Sequence, residues 1–300
     1  MATLPKTVTV VEVGPRDGLQ NEAARISTTD KIAFVDRLSL AGLREIEVSA
    51  FVSPKWIPQL DDAEDVFAGI TRKPGVRYSA LVPNVNGLER AIGAGVTDIA
   101  IFLAASETFS QRNTNRSIDA SFEAYRNVAS MATTAGLRVR GYLSTAFGCP
   151  FEGDVPVERV VTLTQRLLDI GVFEVAVSDT IGVAHPGQVK AMLPRLLAAI
   201  PADRVALHFH DTRGMALANV LASLEFGITT FDSSAGGLGG CPYAPRATGN
   251  LATEDLVYML NGLGIEPGIA IDAVSDAALA LVPALGHALP SRYTQARPAR

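Results

Sequence analysis

The chain has little cysteine and no excess of positive charge, and each absence excludes a class of protein. Cys149 and Cys241 are the only cysteines in 300 residues, too few for a disulfide framework, so a reducing compartment is expected. Lysine and arginine number 26 against 31 aspartate and glutamate, which gives a formal net charge of −5. That balance provides no basic surface for nucleic acid or for an anionic membrane.

Signals for targeting and for membrane insertion are also missing. The N-terminal segment MATLPKTVTV lacks the basic and apolar regions of a secretory signal and the arginine- and serine-rich composition of a transit peptide. No stretch of about 18 consecutive apolar residues occurs, so no membrane-spanning helix is expected. The last residues, QARPAR, are no peroxisomal address. The sequence therefore predicts a soluble, cytoplasmic protein.

Short β-rich segments alternate with longer helical patterns along the chain. The candidate strands start roughly every 30 residues, which is the size of a βαβ unit. They cover residues 7–13, 45–50, 78–82, 98–103, 138–144, 173–178, 205–210 and 229–232. Apolar residues at three- and four-residue spacing predict helices between them, for example over 31–41 and 157–170. Hydrophobic residues make up 48% of the chain, which is enough for a sizeable core.

Eight consecutive strand–helix units predict a closed (β/α)8 barrel, the TIM-barrel fold of the α/β class. No linker or charge run interrupts the pattern, so we expect one catalytic domain over residues 1–300. Extra C-terminal helices are predicted from about residue 250, over 250–262 and 271–285. The alternative is a doubly wound open sheet, but the turn VGPRDG (13–18) lacks the glycine fingerprint of a dinucleotide-binding fold.

Polar residues fall at the carboxyl end of every predicted strand, where TIM barrels carry their active sites. In chain order they are Arg16, Asp17, Glu47, Ser49, Asn84, Ser106, Glu107, Tyr142, Ser144, Asp179, His208, His210, Ser233 and Ser234. Their recurrence at the end of all eight strands indicates that one rim of the barrel forms a polar site.

Two of the four histidines, His208 and His210, lie one residue apart at the end of the seventh strand. Because side chains alternate along a strand, both share a face with Ala206, and the apolar residues between them pack outward. Imidazoles on one strand face, about 7 Å apart along the chain, can reach the same ion. The alternative is two ordinary buried histidines, each of which needs its own hydrogen-bond partner.

Asp17 is the predicted carboxylate partner of the two histidines, because the first and seventh strands end at the same rim. Its alternative role is that of a turn residue, since Arg-Asp-Gly favours a turn. A mixed set of nitrogen and oxygen ligands suits Mg²⁺, Mn²⁺, Fe²⁺ or Zn²⁺. The pattern therefore predicts a divalent metal site with open coordination positions.

A glycine-rich segment, AGGLGGCPYAPRATGN (235–250), follows the eighth strand. Four glycines in five positions predict a mobile loop, and both a phosphate cradle and a plain connector are consistent with it. Cys241 comes directly after the glycines and before Pro242, which favours a lid that carries a reactive thiol over the barrel mouth. Cys149 has apolar neighbours and is predicted to be packed.

Taken together, the motifs resemble the 3-hydroxy-3-methylglutaryl-CoA (HMG-CoA) lyase family, within the group of barrel metallolyases that includes isopropylmalate and homocitrate synthases. The matching segments are VEVGPRDGLQNE (11–22), EVSAFVSPKWIPQ (47–59), RGY (140–142), SDTIG (178–182), HFHD (208–211), AGGLGGCPY (235–243) and GNLATEDLVYM (249–259). The run GLGGCPY (237–243) is specific to the lyase branch, whereas the histidine pair is shared more widely.

The resemblance implies a divalent cation, Mg²⁺ or Mn²⁺, bound by Asp17, His208, His210 and Asn250. The local pattern alone predicts Asn250 as the N-cap of a helix over 251–260. The resemblance further implies that Arg16 and Cys241 are catalytic, with Glu47 and Asp179 as supporting carboxylates.

The implied reaction is retro-Claisen cleavage of HMG-CoA to acetyl-CoA and acetoacetate, as in leucine degradation and ketone-body formation. The implied partners are an acyl-CoA substrate and further copies of the chain in a dimer or larger homo-oligomer. One alternative is a lyase or aldolase of the same barrel group that acts on a related 3-hydroxyacyl-CoA or 2-oxo acid. Another is a non-catalytic metal-binding protein. The general base is left open among a ligating histidine, Asp17, Asp179 and an ordered water.

The chain departs from the animal members of the family in two segments near the expected mouth. HDTRGM (210–215) contains Arg213 where the animal pattern has tyrosine, and CPYAPR (241–246) contains Arg246 where it has glycine. Both arginines bear on acyl selectivity, and their alternative role is that of a solvated rim.

Overall fold

Eight parallel strands pair in sequence order and close into a barrel, because the first strand pairs with both the second and the eighth. The structure is a computed structural model that describes residues 4–240 and 249–298. Its strands are β1 (Thr9–Glu12), β2 (Glu45–Ala50), β3 (Arg77–Leu81), β4 (Asp98–Ala104), β5 (Arg138–Ser144), β6 (Val175–Asp179), β7 (Val205–Phe209) and β8 (Thr230–Ser233). The predicted (β/α)8 barrel is confirmed, and closure excludes the open sheet.

Helices connect the strands, and further helices follow β8. They are α1 (Thr28–Leu40), α2 (Ala63–Gly69), α3 (Val85–Gly93), α4 (Glu107–Thr114), α5 (Ile118–Thr134), α6 (Val157–Asp169), α7 (Pro186–Leu197), α8 (Ala216–Leu224), α9 (Thr253–Gly262), α10 (Ile271–Leu279), α11 (Val282–Leu285) and α12 (Arg292–Ala296). The helix predicted over 271–285 is divided into α10 and α11. Within residues 4–240 and 249–298, no helix is long and apolar enough to cross a membrane.

Some polar residues predicted for the rim cap helices instead. Asn84 Oδ1 accepts the backbone N–H of Gly87 at the start of α3. Ser106 Oγ accepts the N–H of Phe109 at the start of α4 and lies 2.9 Å from the sulfur of Cys149. A cap of this kind stabilises a helix by about 1 kcal/mol. Asn84 and Ser106 therefore cap the helices that follow β3 and β4, and their described hydrogen bonds do not include the candidate metal ligands.

Side-chain alternation divides the core into an outer and an inner part. On β7, Val205, Leu207 and Phe209 belong to the large core between strands and helices, whereas Ala206 lies in the barrel interior. Ala50, Ala100 and Ala176 are further small residues of the interior, and they lie in one cluster with the larger Leu81 and Tyr142. Burying a side chain as large as Phe209 stabilises the fold by about 2–3 kcal/mol. An eight-stranded barrel is just wide enough for interior side chains, so small residues leave room for larger polar ones.

Candidate metal centre and active site

A tight turn directly after β1 carries Arg16 and Asp17. Residues Gly14–Gly18 form one π-helical turn, in which the N–H groups of Arg16 and Asp17 approach the Val13 carbonyl oxygen at 3.2 and 2.7 Å. Turns of this type are rare in proteins, and those that occur often lie at functional sites. The turn brings two consecutive charged side chains to the same barrel mouth, as the sequence predicted.

Asp17, His208 and His210 converge at this mouth. One candidate ligand atom from each lies within 4.8 Å of the others, and no second group of this kind occurs in the described part of the chain. The Nε2 atoms of the two imidazoles are 3.1 Å apart. Asn250 Nδ2 donates to Asp17 Oδ2 at 2.9 Å. The four residues predicted as metal ligands are therefore adjacent.

Asn250 reaches the site because the chain returns to the end of β7 after the glycine-rich segment. His210 and Asn250 form an isolated antiparallel bridge just beyond that strand. Helix α9 begins only at Thr253, and Ala252 at its N-cap position provides no side-chain cap. The prediction of Asn250 as a helix N-cap is therefore wrong, and its side chain contacts Asp17 instead.

Arg16 is buried between two carboxylates. Its Nε donates to Glu47 Oε2 and its Nη1 to Asp17 Oδ1, both at 2.5 Å. The hydroxyl of Tyr142 donates to the same Glu47 oxygen at 3.2 Å, and the guanidinium lies 5.4 Å from the tyrosine ring centroid. Burial alone would raise the pKa of Asp17, but Arg16 and the two histidines outweigh it and hold that pKa below its usual range. Arg16 is thus a fixed, permanent cation beside the candidate ligands.

The two histidines differ in what their other ring nitrogen contacts. His208 Nδ1 lies 3.1 Å from Asp232 Oδ2, and Asp232 also accepts two hydrogen bonds from Arg140, at 2.7 and 3.2 Å. His210 Nδ1 is buried and has no hydrogen-bond partner among the described residues. Burial, reinforced by His208, lowers the pKa of His210 to about 3. The motifs did not predict a role for Asp232, although a carboxylate inside the buried strand TFDS (230–233) is unusual.

Comparison with known proteins agrees with this site. A family model described as HMGL-like matches residues 7–280. The chain belongs to the HMGL-like family. A hydroxymethylglutaryl-CoA lyase of Bacillus subtilis is 52% identical over 291 residues, 97% of each chain. The crystal structure of hydroxymethylglutaryl-CoA lyase from Pseudomonas aeruginosa has a TM-score of 0.96 at 51% identity and covers 98% of both chains.

An HMG-CoA lyase of Acinetobacter baumannii, solved in complex with coenzyme A and 3-methylmalate, aligns over 100% of both chains at 39% identity and a TM-score of 0.93. The resemblance that the motifs indicated is therefore confirmed, and with it the assignment to the carbon–carbon lyases of the HMGL-like family.

The described part of the glycine-rich segment in this HMGL-like barrel is packed, not free. Ala235–Gly237 form a buried 3-10 turn directly after β8. Gly239 adopts a φ of +105°, and a Cβ there would lie 2.6 Å from Asn250 Nδ2. The prediction of a mobile loop is therefore wrong for the buried residues 235–239, whereas Gly240 is exposed. The glycines permit close approach of the backbone to a metal-ligand candidate.

Buried carboxylates occupy the backbone donors that a phosphate cradle would need. Glu12 Oε1 accepts the N–H groups of Gly14 and Ala235, each at 2.8 Å. Both carboxylate oxygens of Glu254 lie 2.9 Å from the N–H of Gly236. Because these donors are already used, the phosphate-cradle interpretation is wrong for this part of the segment. Glu12 instead joins the start of the Arg16 turn to the start of the glycine-rich segment.

Asp179 ends β6 and holds the loop that follows it. Its two oxygens accept the N–H groups of Val183 and Ala184 at 2.9 and 3.0 Å. Burial raises its pKa to about 6. Arg213, an exposed residue, donates to the carbonyl oxygens of Ile181 and Gly182 in the same loop. Asp179 and Arg213 therefore support this loop from its inner and outer sides.

Of the two cysteines, only Cys149 lies among the described residues. Cys149 is buried, as predicted, in a small cluster with Ala104 and Phe109. Cys241 lies outside the described residues, and so does Arg246. The predictions of a thiol-bearing lid and of a role for Arg246 in acyl selectivity therefore stay predictions.

Proposed function

We propose that this HMGL-like enzyme cleaves HMG-CoA to acetyl-CoA and acetoacetate by a metal-dependent retro-Claisen reaction. The observation that carries the proposal is the convergence of Asp17, His208, His210 and Asn250 beside the buried guanidinium of Arg16. Hydroxymethylglutaryl-CoA lyases at about half identity over nearly the full chain support the choice of substrate.

The ligand atoms suit a divalent cation. Asn250 Oδ1 is a buried acceptor with no hydrogen-bond partner among the described residues. Two imidazole Nε2 atoms face each other at 3.1 Å, an arrangement in which a cation would use both lone pairs. The carboxylate of Asp17 completes a mixed nitrogen and oxygen set, as Mg²⁺ or Mn²⁺ would accept. When bound, the cation supplies Lewis-acid chemistry that makes the substrate's tertiary hydroxyl easier to deprotonate.

Arg16 is the proposed stabiliser of the negative charge that grows on the thioester oxygen as the carbon–carbon bond breaks. Its side chain is anchored by Glu47 and Asp17, so no reorganisation is needed when the charge develops. The low exposure of this cation strengthens its electrostatic effect, because bulk water is excluded. Its position beside the candidate ligands brings it to the reacting end of the substrate.

Glu47 is the proposed carboxylate of the proton relay. Burial raises its pKa above the usual value, and its Oε1 is buried without a partner in the described part of the chain. Glu47 and Asp17 both pair with Arg16, but the pKa of Asp17 is held below its usual range and Asp17 is a candidate metal ligand. Asp179 uses both oxygens on backbone donors. A carboxylate with a raised pKa accepts and returns protons near neutral pH more readily than an ordinary one.

Cys241 is the proposed donor of the proton to the enolate carbon of acetyl-CoA. The backbone N–H of Gly249 donates to the carbonyl oxygen of Gly239 at 3.0 Å, so described residues on either side of positions 241–248 meet beside Asn250. Cys241 follows this meeting point by two residues in the sequence. A thiol is a competent general acid when a closed segment holds it over the substrate.

An assay of the purified protein with HMG-CoA and Mg²⁺ tests the proposal. We expect acetoacetate and acetyl-CoA in equal amounts. Cleavage of a different 3-hydroxyacyl-CoA, but not of HMG-CoA, would contradict the substrate assignment. Absence of cleavage with every divalent cation would instead favour the alternative of a non-catalytic metal-binding protein.

Five further proposals rest on composition and resemblance. Residues 1–300 act as one catalytic domain, and the native metal is Mg²⁺ or Mn²⁺. The enzyme is a homo-oligomer, and it works in the cytoplasm on leucine-derived or ketone-body intermediates. Measurement of the molecular mass in solution by light scattering tests the oligomer.

A further inference from the structure

We propose that Asp232, the buried carboxylate near the end of β8, positions His208 by holding its proton on Nδ1 and thereby presents Nε2 to the metal site. The inference rests on the proposed divalent site and adds a positioning residue to it. Asp232 itself would not touch substrate or metal.

The contacts of Asp232 are set by the barrel. His208 and Asp232 are direct partners in the register of β7 and β8. Asp232 Oδ2 lies 3.1 Å from His208 Nδ1, and the carboxylate also receives the Nη1 and Nη2 donors of Arg140. Only 1% of the surface of Asp232 is exposed, so water does not compete for these contacts. The imidazole of His208 also packs edge-on against Tyr142, with ring centroids 6.2 Å apart.

The chemistry of a carboxylate decides the tautomer of this histidine. An ionised carboxylate only accepts hydrogen bonds, so the nitrogen facing it must carry the proton. With the proton on Nδ1, the lone pair of His208 lies on Nε2, which faces His210 Nε2 at 3.1 Å and Asp17 Oδ2 at 4.0 Å. Nitrogen atoms bind a metal through that lone pair, and partners of the second nitrogen commonly orient ligating histidines.

His210 offers an internal contrast. Its Nδ1 is buried without a hydrogen-bond partner among the described residues, so no described carboxylate holds a proton there. Its Nε2 faces the lone pair of His208 Nε2 at 3.1 Å and would donate to it in the metal-free protein. Of the two candidate nitrogen ligands, only His208 therefore presents a free lone pair before a metal arrives. An oriented ligand loses less conformational freedom on binding than a free one.

The competing explanation is that Asp232 only neutralises Arg140 inside the barrel. Glu174 provides a matched control, because its Oε1 accepts the Arg140 Nε at 2.8 Å and its described contacts do not include His208. Both Asp232→Asn and Glu174→Gln remove one negative charge from Arg140. Only Asp232→Asn changes the group that faces His208.

Asp232→Asn should invert the tautomer of His208. Arginine can only donate, so the amide oxygen turns to Arg140 and the amide NH₂ faces His208 Nδ1, which must then accept. The proton moves to Nε2 and blocks the ligating lone pair. Titration calorimetry on chelator-stripped protein measures the Mn²⁺ affinity. We expect the affinity of Asp232→Asn to be roughly 10–100-fold below that of wild type, and the affinity of Glu174→Gln to stay within about threefold of wild type.

Nitrogen-15 NMR of labelled histidine in metal-free wild-type protein tests the tautomer directly, without any variant at position 232. With the His208 signals identified by their loss in His208→Gln, and at a pH where the ring is neutral, we expect the proton on Nδ1. A proton on Nε2 would overturn the proposal, and so would equal losses of Mn²⁺ affinity in Asp232→Asn and Glu174→Gln. If wild type binds no Mn²⁺, the proposed metal site fails, and the NMR result still decides the role of Asp232.

Discussion

Two groups of buried polar side chains share the barrel interior and differ in how completely they are paired. The interior charge network, formed by Arg140, Glu174 and Asp232, has its guanidinium bound on both sides by carboxylates. The mouth cluster is Arg16, Asp17, Glu47, His208, His210 and Asn250. It keeps three buried atoms without hydrogen-bond partners in the described residues, namely Glu47 Oε1, His210 Nδ1 and Asn250 Oδ1.

The difference separates structural polar groups from groups that await a ligand. An unsatisfied buried polar atom destabilises a fold by about 1–3 kcal/mol, so such atoms are rare in native proteins. Three of them in one place indicate partners that the polypeptide does not supply. We therefore expect changes in the mouth cluster to affect activity first. Changes at Arg140 and Glu174 should affect stability first, whereas Asp232 also contacts His208 of the mouth cluster.

Among changes to the mouth cluster, removal of the metal should lower the cleavage activity most. Prolonged chelation is expected to abolish cleavage, and Mg²⁺ or Mn²⁺ should restore it, because the substrate's hydroxyl loses its proton too slowly without a cation. Asp17→Ala and His208→Ala should each weaken metal binding strongly. Full activity of metal-free protein, verified by elemental analysis, would contradict the metal-dependent mechanism.

Breaking the interior charge network should destabilise the protein instead. Arg140→Gln leaves Asp232 and Glu174 without a cation, and an uncompensated buried charge destabilises by about 3–5 kcal/mol. Urea unfolding measures this change. The exposed Arg126, which pairs with Glu123 on the surface of α5, is a matched control, and Arg126→Gln should change stability by less than about 1 kcal/mol. Equal changes in the free energy of unfolding for the two variants would contradict a stabilising role of the interior charge network.

Cys241 should matter for turnover and not for metal binding. If it donates the proton to the enolate, Cys241→Ala lowers kcat by about 10²–10³, in the range of general acid–base effects. Cys241 should also react with iodoacetamide in the free enzyme and be protected by a substrate analogue, whereas the buried Cys149 should react slowly in both states. Wild-type turnover by Cys241→Ala would assign the proton to water or to a carboxyl group.

Arg16 tests the electrostatic part of the mouth cluster. Arg16→Gln should lower kcat by about 10², the effect of losing a donor worth roughly 3 kcal/mol in the transition state. Arg16→Lys should rescue only partly, since a point charge cannot bind Glu47 and Asp17 with the planar fork. A raised KM with a near-normal kcat would show that Arg16 binds substrate and does not stabilise the transition state.

The smallest effect is expected from the carboxylates beneath the glycine-rich segment. Burial raises the pKa of Glu12 to about 7 and that of Glu254 to about 8, and their partners are backbone N–H groups and hydroxyls, not cations. Because the folded pKa is raised, the folded state holds protons that the unfolded state releases. Their stabilising contribution is complete below about pH 4.5 and is lost as pH rises to 7–8.

Glu12→Gln checks this dependence. It removes one titrating group while keeping an acceptor for Gly14 and Ala235. The free energy of unfolding, measured in urea from pH 5 to 8, should then fall less steeply than in wild type. The difference is at most about 1.4 kcal/mol per pH unit. Identical slopes would mean that Glu12 does not titrate in this range.

Much of the fold was predictable because it depends on short-range patterns. Strands β2 and β5 were predicted with the bounds that the structure has. Helix α9 was predicted about three residues early, since Asn250 resembles an N-cap in the local pattern although it is used at the end of β7. Asn84 and Ser106 were assigned to the rim because position after a strand does not separate a helix cap from an active-site residue.

The sequence by itself determined the barrel, its eight strands and most of the candidate ligands. Strand alternation places His208 and His210 on one face, and the rule that strands end at a common rim adds Asp17. Only the tertiary structure decided that Asp232 faces His208, that Glu12 binds the N–H of Ala235 across 223 residues, and that Asn250 turns to Asp17. Those contacts depend on register between strands and on closure of β1 against β8, which no local pattern of residues encodes.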